Sequence, residues 1–274
     1  MARRPRALSE LSRPPAPTGN GRTDLRADCE RCFGLCCVVP AFAASADFAV
    51  DKPAGQPCPN LRSDSRCGIH RDLRQRGFPG CTVFDCFGAG QKVAQITFGG
   101  QDWRTAPAIA ARMFGAFPVM QHLHELLWYL TEARGLAPAG ALRAELDDAL
   151  REIEALTLGS PEALAGLDVA ARRREVNALL LRTSELVRAG RGRTGPDRRG
   201  ADLVGADLRG ADLGGADLRG SIFLLQSQLD AARGGADTRL PDSLRRPTHW
   251  SGSGTPVDRA PRAAGRGPRR SRRR

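Results

Sequence analysis

Between residues 104 and 190, apolar side chains recur at three- and four-residue steps, the spacing of one face of an α-helix. A first run covers 108–130, and Pro118 within it predicts a break or kink. A second run covers 142–156. The third begins at Ser160-Pro161, a pair typical of helix starts, and ends at Gly190. Three helices with short connections predict a small antiparallel bundle.

A five-residue pattern follows the helical one. Residues 200–220 contain four consecutive Ala-Asp-Leu-x-Gly units, and Ser221-Ile222-Phe223 continues the register as a degenerate fifth. These units resemble the pentapeptide-repeat family, whose members form a right-handed, four-sided β-helix with one repeat on each side. The resemblance implies that Asp and Arg point outward and that one large apolar side chain per unit points inward. The inward set is Leu203, Leu208, Leu213, Leu218 and Phe223.

Four or five units make little more than one coil, and a solenoid coil is stable only when a neighbour covers its faces. We therefore expect residues 196–250 to form a coil with its own cap, in which the segment after Leu224 is a short capping helix. The helical bundle or a second copy of the chain could also cover the coil. A flexible Gly-rich linker is the alternative, but it leaves the strict Leu period unexplained.

Charge is concentrated at the two ends of the chain. The 274 residues include 42 Lys+Arg and 30 Asp+Glu, for a formal charge of +12. Residues 1–26 carry a net +4 and residues 259–274 a net +8, so the block between them is neutral. Because the ends are rich in Pro, Gly and Ala, we expect 1–26 and 251–274 to be disordered tails. They are either solubilising ends or weak, non-specific contacts for nucleic acid or anionic lipid.

No segment has the apolar length of a signal peptide or of a membrane span of about 20 residues. The sequence therefore predicts a cytoplasmic protein without a membrane partner, in which thiols stay reduced.

Chemistry concentrates in residues 27–103. All eight cysteines lie there: Cys29, Cys32, Cys36, Cys37, Cys58, Cys67, Cys81 and Cys86. The spacing Cys29-x2-Cys32 suits chelation of one ion, and the adjacent pair Cys36-Cys37 can ligate singly or serve two sites. The surrounding chain is rich in Pro, Gly, Asp and Arg and has little core of its own. Metal–thiolate bonds are therefore expected to stabilise this module.

Within residues 27–92, Cys29-Glu-Arg-Cys32 and Cys36-Cys37 precede three further elements, Pro57-Cys58, Cys67-Gly-Ile69 and Cys81-x4-Cys86. Together they resemble the CxxCxxCC family of zinc- or iron-chelating cysteine-cluster proteins. Three residues, rather than the family's two, separate Cys32 from Cys36. The resemblance implies Zn²⁺ or an iron–sulfur cluster. Four thiolates satisfy one zinc, and eight could hold two, or four could hold a [4Fe–4S] cluster while the others are structural.

Other candidate residues are less specific. His70 stands at Cys67-x2-His70 and is either a mixed ligand or, as we prefer, a surface residue. His122 and His124 point to different helix faces, so we interpret them as ordinary surface or edge positions. Gly88-Ala-Gly90 is interpreted as the turn that leaves the module.

The sequence thus predicts a mixed fold. It consists of a metal-stapled, loop-rich cysteine module, an α-helical bundle and a very short β-helical coil between disordered basic tails. The predicted function is a non-catalytic metal-binding protein that acts as a scaffold or redox sensor. Its coil would bind a protein partner or a second copy of the chain. The alternative is an iron–sulfur or zinc enzyme that modifies a protein or small molecule.

Overall fold

The computed structural model describes residues 24–189, 203, 204, 206 and 208–250. The fold is rich in helix within these ranges, and β-pairing there is limited to four isolated bridges. The α-helices are α1 (Leu35–Val38), α2 (Pro79–Thr82), α3 (Ala89–Gln91), α4 (Pro107–Gly135), α5 (Arg143–Leu156), α6 (Pro161–Ala165), α7 (Val169–Ala189) and α8 (Gln226–Ala231). A π-helix spans Lys92–Thr97, and 3₁₀-helices span Ala137–Leu142 and Thr248–Trp250. None of the helices in the described part combines the length and apolar character needed to cross a membrane.

Helix α4 is the centre of the molecule. It packs against α5, α6 and α7, and also against α1, α3 and the π-helix of the cysteine module. Its buried side chains therefore lie on several sides rather than on one stripe. The predicted break at Pro118 does not occur, because α4 runs on through this residue. Burial along the helix outweighs the cost of an internal proline, which is about 3 kcal/mol.

The third predicted helix is divided in two. Its start is confirmed, because Ser160 Oγ accepts a hydrogen bond of 3.2 Å from the Ala163 N–H and Pro161 is the first helical residue. Helix α6 then ends after one turn at the C-cap Gly166. The Asp168 carboxylate accepts a hydrogen bond of 2.9 Å from the Ala171 N–H and so caps a new helix start at α7.

The cysteine module is loop-rich, as predicted, and its apolar residues belong to the core of the bundle. Leu35, Phe87 and Val93 are buried in the same cluster as the α4 side chains. The Trp103 indole N–H donates a hydrogen bond of 2.9 Å to the Phe33 carbonyl and fixes the chain just before α4. These contacts fold the module onto the bundle, whereas the rings of Phe42, Phe48 and Phe78 pack against one another within the module itself.

The repeat segment has a regular backbone with a five-residue period. The carbonyls of Leu208, Leu213 and Leu218 each accept a hydrogen bond of 3.0 Å from the N–H three residues further on. The third residue of each of these turns is glycine with φ between 67° and 70°, a left-handed conformation that a glycine adopts without strain. These turns place every fifth residue in an equivalent position.

The chain after the repeats pairs with them. Asp212 and Asp217 form parallel bridges with Arg233 and Arg239. In the connection between Asp217 and Arg233, α8 lies where the short capping helix was predicted, after Leu224. A second, smaller core forms between the repeats and this covering segment, and it contains Leu203, Leu213, Leu218, Leu224, Leu229, Ala232 and Trp250.

Of the predicted inward side chains, Leu203, Leu213 and Leu218 are buried in this second core and Leu208 is half-buried against it. Phe223 is fully buried too, but in the main core beside α4 rather than in the core of the repeats. The predicted disordered tails, apart from 24–26, lie outside the described residues, as do 201 and 202 of the first repeat.

Candidate metal centre

All eight cysteines are free thiols on loops or short helices. Cys36 and Cys37 lie in α1, and Cys81 lies in α2. Cys58 is buried, whereas Cys29 is exposed at the edge of the module. All eight candidate ligands therefore lie in the loop-rich cysteine module, and none of them is in a disulfide.

Four cysteines from the start and the end of the module are linked by their electrostatic influence on one another, and we call them the first thiol group: Cys29, Cys32, Cys36 and Cys86. Cys29 is also influenced by Cys37. Burial and then the negative charges of Cys86 and Cys29 raise the pKa of Cys32 to about 11, although backbone N–H donors oppose this shift. Burial also raises the pKa of Cys86, and the Cys29 thiol adds to the shift. These interactions place Cys86 beside cysteines more than fifty positions earlier in the chain.

The other four cysteines form the second thiol group: Cys37, Cys58, Cys67 and Cys81. Burial and then the charges of Cys37, Cys58 and Cys67 raise the pKa of Cys81 to about 11. Burial likewise raises the pKa of Cys67, with further contributions from Cys37 and Cys58. The Cys58 N–H donates a hydrogen bond of 2.9 Å to the Cys37 carbonyl, which ties these two loops together.

The adjacent pair lies where the two groups meet. The Sγ atoms of Cys36 and Cys37 are 4.0 Å apart, and one thiol shares its proton with the other. This hydrogen bond is the main cause that lowers the pKa of Cys37 and raises the pKa of Cys36. Cys37 is therefore easier to ionise than a free cysteine.

Backbone N–H groups already point at three of the sulfurs. Cys32 accepts from the N–H groups of Leu35 and Gly34, Cys67 from that of Ile69, and Cys86 from those of Gly88 and Gly90. Each of these hydrogen bonds favours the thiolate form. Donors that orient and stabilise a thiolate are the usual surroundings of cysteine metal ligands.

The donor set fits Zn²⁺ or an iron–sulfur cluster in type and in number, since both are bound by cysteine thiolates. In the conformation described, however, no three Cys, His, Asp or Glu side chains of the described residues converge closely enough to hold one ion. A metal would have to draw the sulfurs inward and displace their protons, which burial otherwise holds in place.

A buried lysine lies beside the second thiol group, and sequence reasoning did not identify it. Lys52 is only 3% exposed. Its ammonium group donates to the carbonyls of Val38, Pro53 and Gln56 at 2.8, 3.2 and 3.0 Å. The hydrogen bond with Cys36 is the main cause that lowers the pKa of Cys37, and burial opposes it. The positive charge of Lys52 is a further cause that lowers this pKa. Lys52 thus ties the end of α1 to its own loop and adds positive charge beside the thiols.

Two glutamines clamp the start of the module to its end. The Gln91 side chain donates to the Arg26 carbonyl at 2.7 Å and accepts from the Asp28 N–H at 3.1 Å. The Gln95 side chain donates to the Arg31 carbonyl at 2.8 Å. The prediction that Gly88 and Gly90 form a simple turn out of the module is therefore wrong. They begin the helical segment that carries these glutamines.

The histidines differ in burial, and the His70 N–H donates a hydrogen bond of 3.4 Å to the Cys67 carbonyl. His70 and His122 are exposed, as the sequence suggested. The interpretation of His124 as a surface or edge residue is wrong, because only 4% of it is exposed. Its Nδ1 forms a hydrogen bond of 2.7 Å with the Phe87 carbonyl, and this bond joins α4 to the chain just after Cys86.

A polar cavity of about 410 Å³ opens between the second thiol group and the segment that covers the repeats. Its lining includes His70 and Thr82 from the cysteine module and Asp230 and His249 from the covering segment. Burial raises the pKa of Asp230 above its usual value. The cavity therefore combines two imidazoles with a carboxylate that titrates closer to neutral pH.

Comparison with known proteins identifies the repeats and a full-length relative. Residues 197–223 match the family described as "Pentapeptide repeats", in eight copies. The chain is also 51% identical, over 265 aligned positions, to the uncharacterized protein YybG of Bacillus subtilis strain 168; the alignment covers 83% of this chain and 95% of that protein. No solved structure matches the chain.

The alignment with that relative extends far beyond the repeats, so the two proteins share more than the five-residue pattern. The identification of the repeats from sequence is confirmed. The resemblance of residues 27–92 to the CxxCxxCC family stays a prediction, and so does the role of the eight cysteines as ligands.

Proposed function

This chain belongs to the pentapeptide-repeat proteins represented by YybG, and from that premise we propose that it is a metal-binding interaction protein. In this proposal the cysteines bind Zn²⁺ or an iron–sulfur cluster and the repeat segment is a docking surface. The observation that carries the proposal is the arrangement of eight free thiols in two neighbouring groups, with backbone N–H donors already directed at three of them.

The metal would supply the stability that the module lacks. The loops between α1 and α2 contain few buried apolar residues, chiefly Leu73 and Phe78 with the stacked rings of Phe42 and Phe48. When bound, the metal would cross-link these loops through thiolate bonds. The protein's own residues orient the thiols through N–H donors, and Lys52 offsets part of their negative charge. Such a site is structural, or redox-sensitive if it contains iron and sulfide.

The test is to purify the full chain without oxygen and to measure bound zinc, iron and acid-labile sulfide together with the visible spectrum. We expect either colourless protein with zinc or brown protein with iron and sulfide. The variant Cys29→Ser/Cys32→Ser should release metal and make residues 27–92 sensitive to protease. Metal-free wild-type protein with unchanged protease resistance would refute the proposal.

We further propose that the repeats form slightly more than one turn of a right-handed β-helix. The five-residue turn period, the inward Leu side chains and the two parallel bridges to the covering segment support this proposal. The outward positions at Asp212, Arg209 and Arg219 are exposed and polar. A protein partner or a second copy of the chain would therefore dock through polar contacts, and sedimentation at several concentrations distinguishes self-association from a monomer.

The cavity beside the second thiol group favours one alternative, a metal-assisted enzyme that acts on a small polar molecule. His70 and His249 would bind or transfer protons there, with Asp230 as a partner. The variant His249→Ala should abolish the thermal stabilisation caused by any small polar ligand found in a screen. A screen in which no ligand stabilises the wild-type protein would leave the interaction protein as the better assignment.

A further inference from the structure

We propose that the cysteines form two separate four-thiolate sites that interleave along the chain, the first thiol group holding one metal centre and the second thiol group the other. The inference rests on the proposed function, since it assumes that the cysteines bind metal. It goes further by assigning each ligand to a site. The alternative is a sequential division, in which the first four cysteines of the chain hold one centre and the last four hold another.

The first step is the position of Cys86. The Gln91 and Gln95 side chains hold residues 26–31 against the chain that follows Cys86, through hydrogen bonds between 2.7 and 3.1 Å. Cys32 Sγ packs so closely on Gly90 that a Cβ there would lie 2.5 Å from the sulfur. The last cysteine of the chain is thus held beside the first two.

The second step is the grouping of the remaining loops. The Cys58 N–H binds the Cys37 carbonyl at 2.9 Å, and Cys67 lies in the bridge with Leu61, three residues after Cys58. Cys37 and Cys67 are also joined by a side-chain hydrogen bond. Cys81 follows Gly80, whose N–H binds the Asp47 carbonyl at 3.1 Å. The first of these contacts link Cys37, Cys58 and Cys67, and the electrostatic influence of all three on Cys81 adds the fourth member, without Cys86.

The third step is the adjacent pair. Cys36 and Cys37 are consecutive residues of α1, and consecutive side chains of a helix diverge by about 100°. Their sulfurs nevertheless lie 4.0 Å apart, so this pair alone is compatible with either division, and the contacts of Cys86 and Cys58 in the first two steps decide between them. The interleaved division needs one sulfur in each site, and α1 then lies between the two centres. The sites would be close together and joined through a single peptide bond.

The experiment uses the full chain, stripped of metal under reducing, oxygen-free conditions and titrated with Co²⁺. Cobalt bound by four thiolates in tetrahedral geometry gives visible and near-ultraviolet bands that report both stoichiometry and ligand type. We expect wild-type protein to bind two Co²⁺ ions with this spectrum. Four double variants then distinguish the divisions, each checked by circular dichroism for an intact helical bundle.

The variant Cys29→Ser/Cys86→Ser removes two ligands of one site in the interleaved division, so one four-thiolate Co²⁺ should remain. The variant Cys29→Ser/Cys37→Ser damages both sites, so none should remain. The sequential division predicts the reverse for both variants. Cys67→Ser/Cys81→Ser should retain one ion in either case, and Cys29→Ser/Cys67→Ser none, so these two serve as matched controls.

Each outcome has a separate meaning. Wild-type protein that binds no metal would refute the proposed function and the two sites with it. Wild-type protein that binds a single ion would refute the two sites but leave metal binding standing. Two ions in the wild type, with the four-thiolate spectrum kept by Cys29→Ser/Cys37→Ser and lost by Cys29→Ser/Cys86→Ser, would refute the interleaved assignment alone.

Discussion

The ring of Phe223 lies edge-on to the ring of Tyr129, with the two centroids 5.9 Å apart. The Phe223 N–H also donates a hydrogen bond of 2.7 Å to the Glu132 carboxylate, one helical turn along α4. Phe223 has a φ of 61°, a conformation that a bulky residue rarely adopts. The contact with α4 compensates for this strain and attaches the repeat segment to the bundle.

We therefore predict that Phe223→Ala lowers the free energy of unfolding by about 3–5 kcal/mol, because it empties a fully buried site. The loss should appear in urea denaturation and as earlier protease cleavage within 208–250. Phe84→Ala is the control, since 38% of Phe84 is exposed and its removal should cost well under 1 kcal/mol. Equal effects of the two variants would show that the contact with α4 is unimportant.

The inward and outward positions of the repeats should differ sharply. Leu213→Asp places a charge in a narrow apolar core, and we expect it to cost several kcal/mol and to melt the repeat segment. Asp212→Ser removes an exposed carboxylate and keeps an oxygen that can accept the Gly214 N–H, so it should cost about 0.5 kcal/mol or less. Circular dichroism and limited proteolysis measure both. Similar sensitivity at the two positions would contradict a β-helical coil.

His124 should make stability depend on pH. Burial is the main cause that lowers the pKa of His124 from 6.5 to about 4, and the positive charge of Lys92 lowers it further. The hydrogen bond with the Phe87 carbonyl and the negative charge of Asp24 oppose this shift. Because the pKa is lower in the folded state, protons bind preferentially to the unfolded chain. The stabilisation is complete above pH 6.5 and is lost as the pH falls from 6.5 towards 4, by up to about 3 kcal/mol.

The measurement is urea denaturation at pH 7 and pH 4.5 for the wild type, His124→Asn and His122→Asn. Asparagine can still donate to the Phe87 carbonyl but does not titrate. The pH-dependent loss should therefore be smaller in His124→Asn by about 2–3 kcal/mol and unchanged in the His122 variant. The same pH dependence in all three proteins would mean that His124 is not the group responsible.

Two helical glycines should respond in opposite ways to alanine. A Cβ at Gly90 would lie 2.5 Å from Cys32 Sγ, so Gly90→Ala should cost about 1–3 kcal/mol and weaken metal binding by the first thiol group. Gly115 lies in α4 with nothing within 4 Å of the added atom, so Gly115→Ala should stabilise by up to about 1 kcal/mol. Thermal unfolding and metal analysis of both variants test this pair.

Lys52 should not be replaceable by arginine. Three carbonyl oxygens converge on its compact ammonium group, and a planar guanidinium cannot bind all three in the same space. We expect Lys52→Arg and Lys52→Met each to cost about 1–3 kcal/mol through unsatisfied carbonyls. Lys92→Arg is the control, because Lys92 is only half-buried. A fully stable Lys52→Arg protein would show that charge alone is sufficient at this position.

Much of the architecture was predictable from periodicity. The apolar steps of 142–156 locate α5, and the Leu period of 203–218 locates the second core, because in both cases local spacing decides which side chains are buried. The break predicted at Pro118 does not occur because tertiary packing overrides the local helix-breaking preference of proline. Asp168 was missed because a capping residue inside an otherwise helical pattern resembles any exposed acid.

The candidate site was predictable in composition but not in arrangement. Cysteine spacing selected the candidate ligands, and their role stays a prediction; the spacing could be read because it is a local property. The neighbour relation between Cys32 and Cys86 depends on Gln91 and Gln95, whose contacts cross more than sixty positions. The burial of His124 likewise depends on the Phe87 carbonyl, 37 positions away. Lys52 is buried by nearby carbonyls, but an isolated lysine in a polar loop gives no local pattern that reports this.

Contacts that span most of the described chain also determine the order in which it can fold. Asp47 pairs with Arg209 across 162 positions, the Asp230 carbonyl accepts from Arg74 across 156, and Glu132 accepts from Phe223 across 91. Closing such long loops is slow because their entropy is lost before any contact forms. During synthesis the apolar surface around Tyr129 therefore stays exposed to solvent until the repeats leave the ribosome. A nascent chain that stalls before residue 223 exposes this apolar surface of α4 to chaperones and proteases.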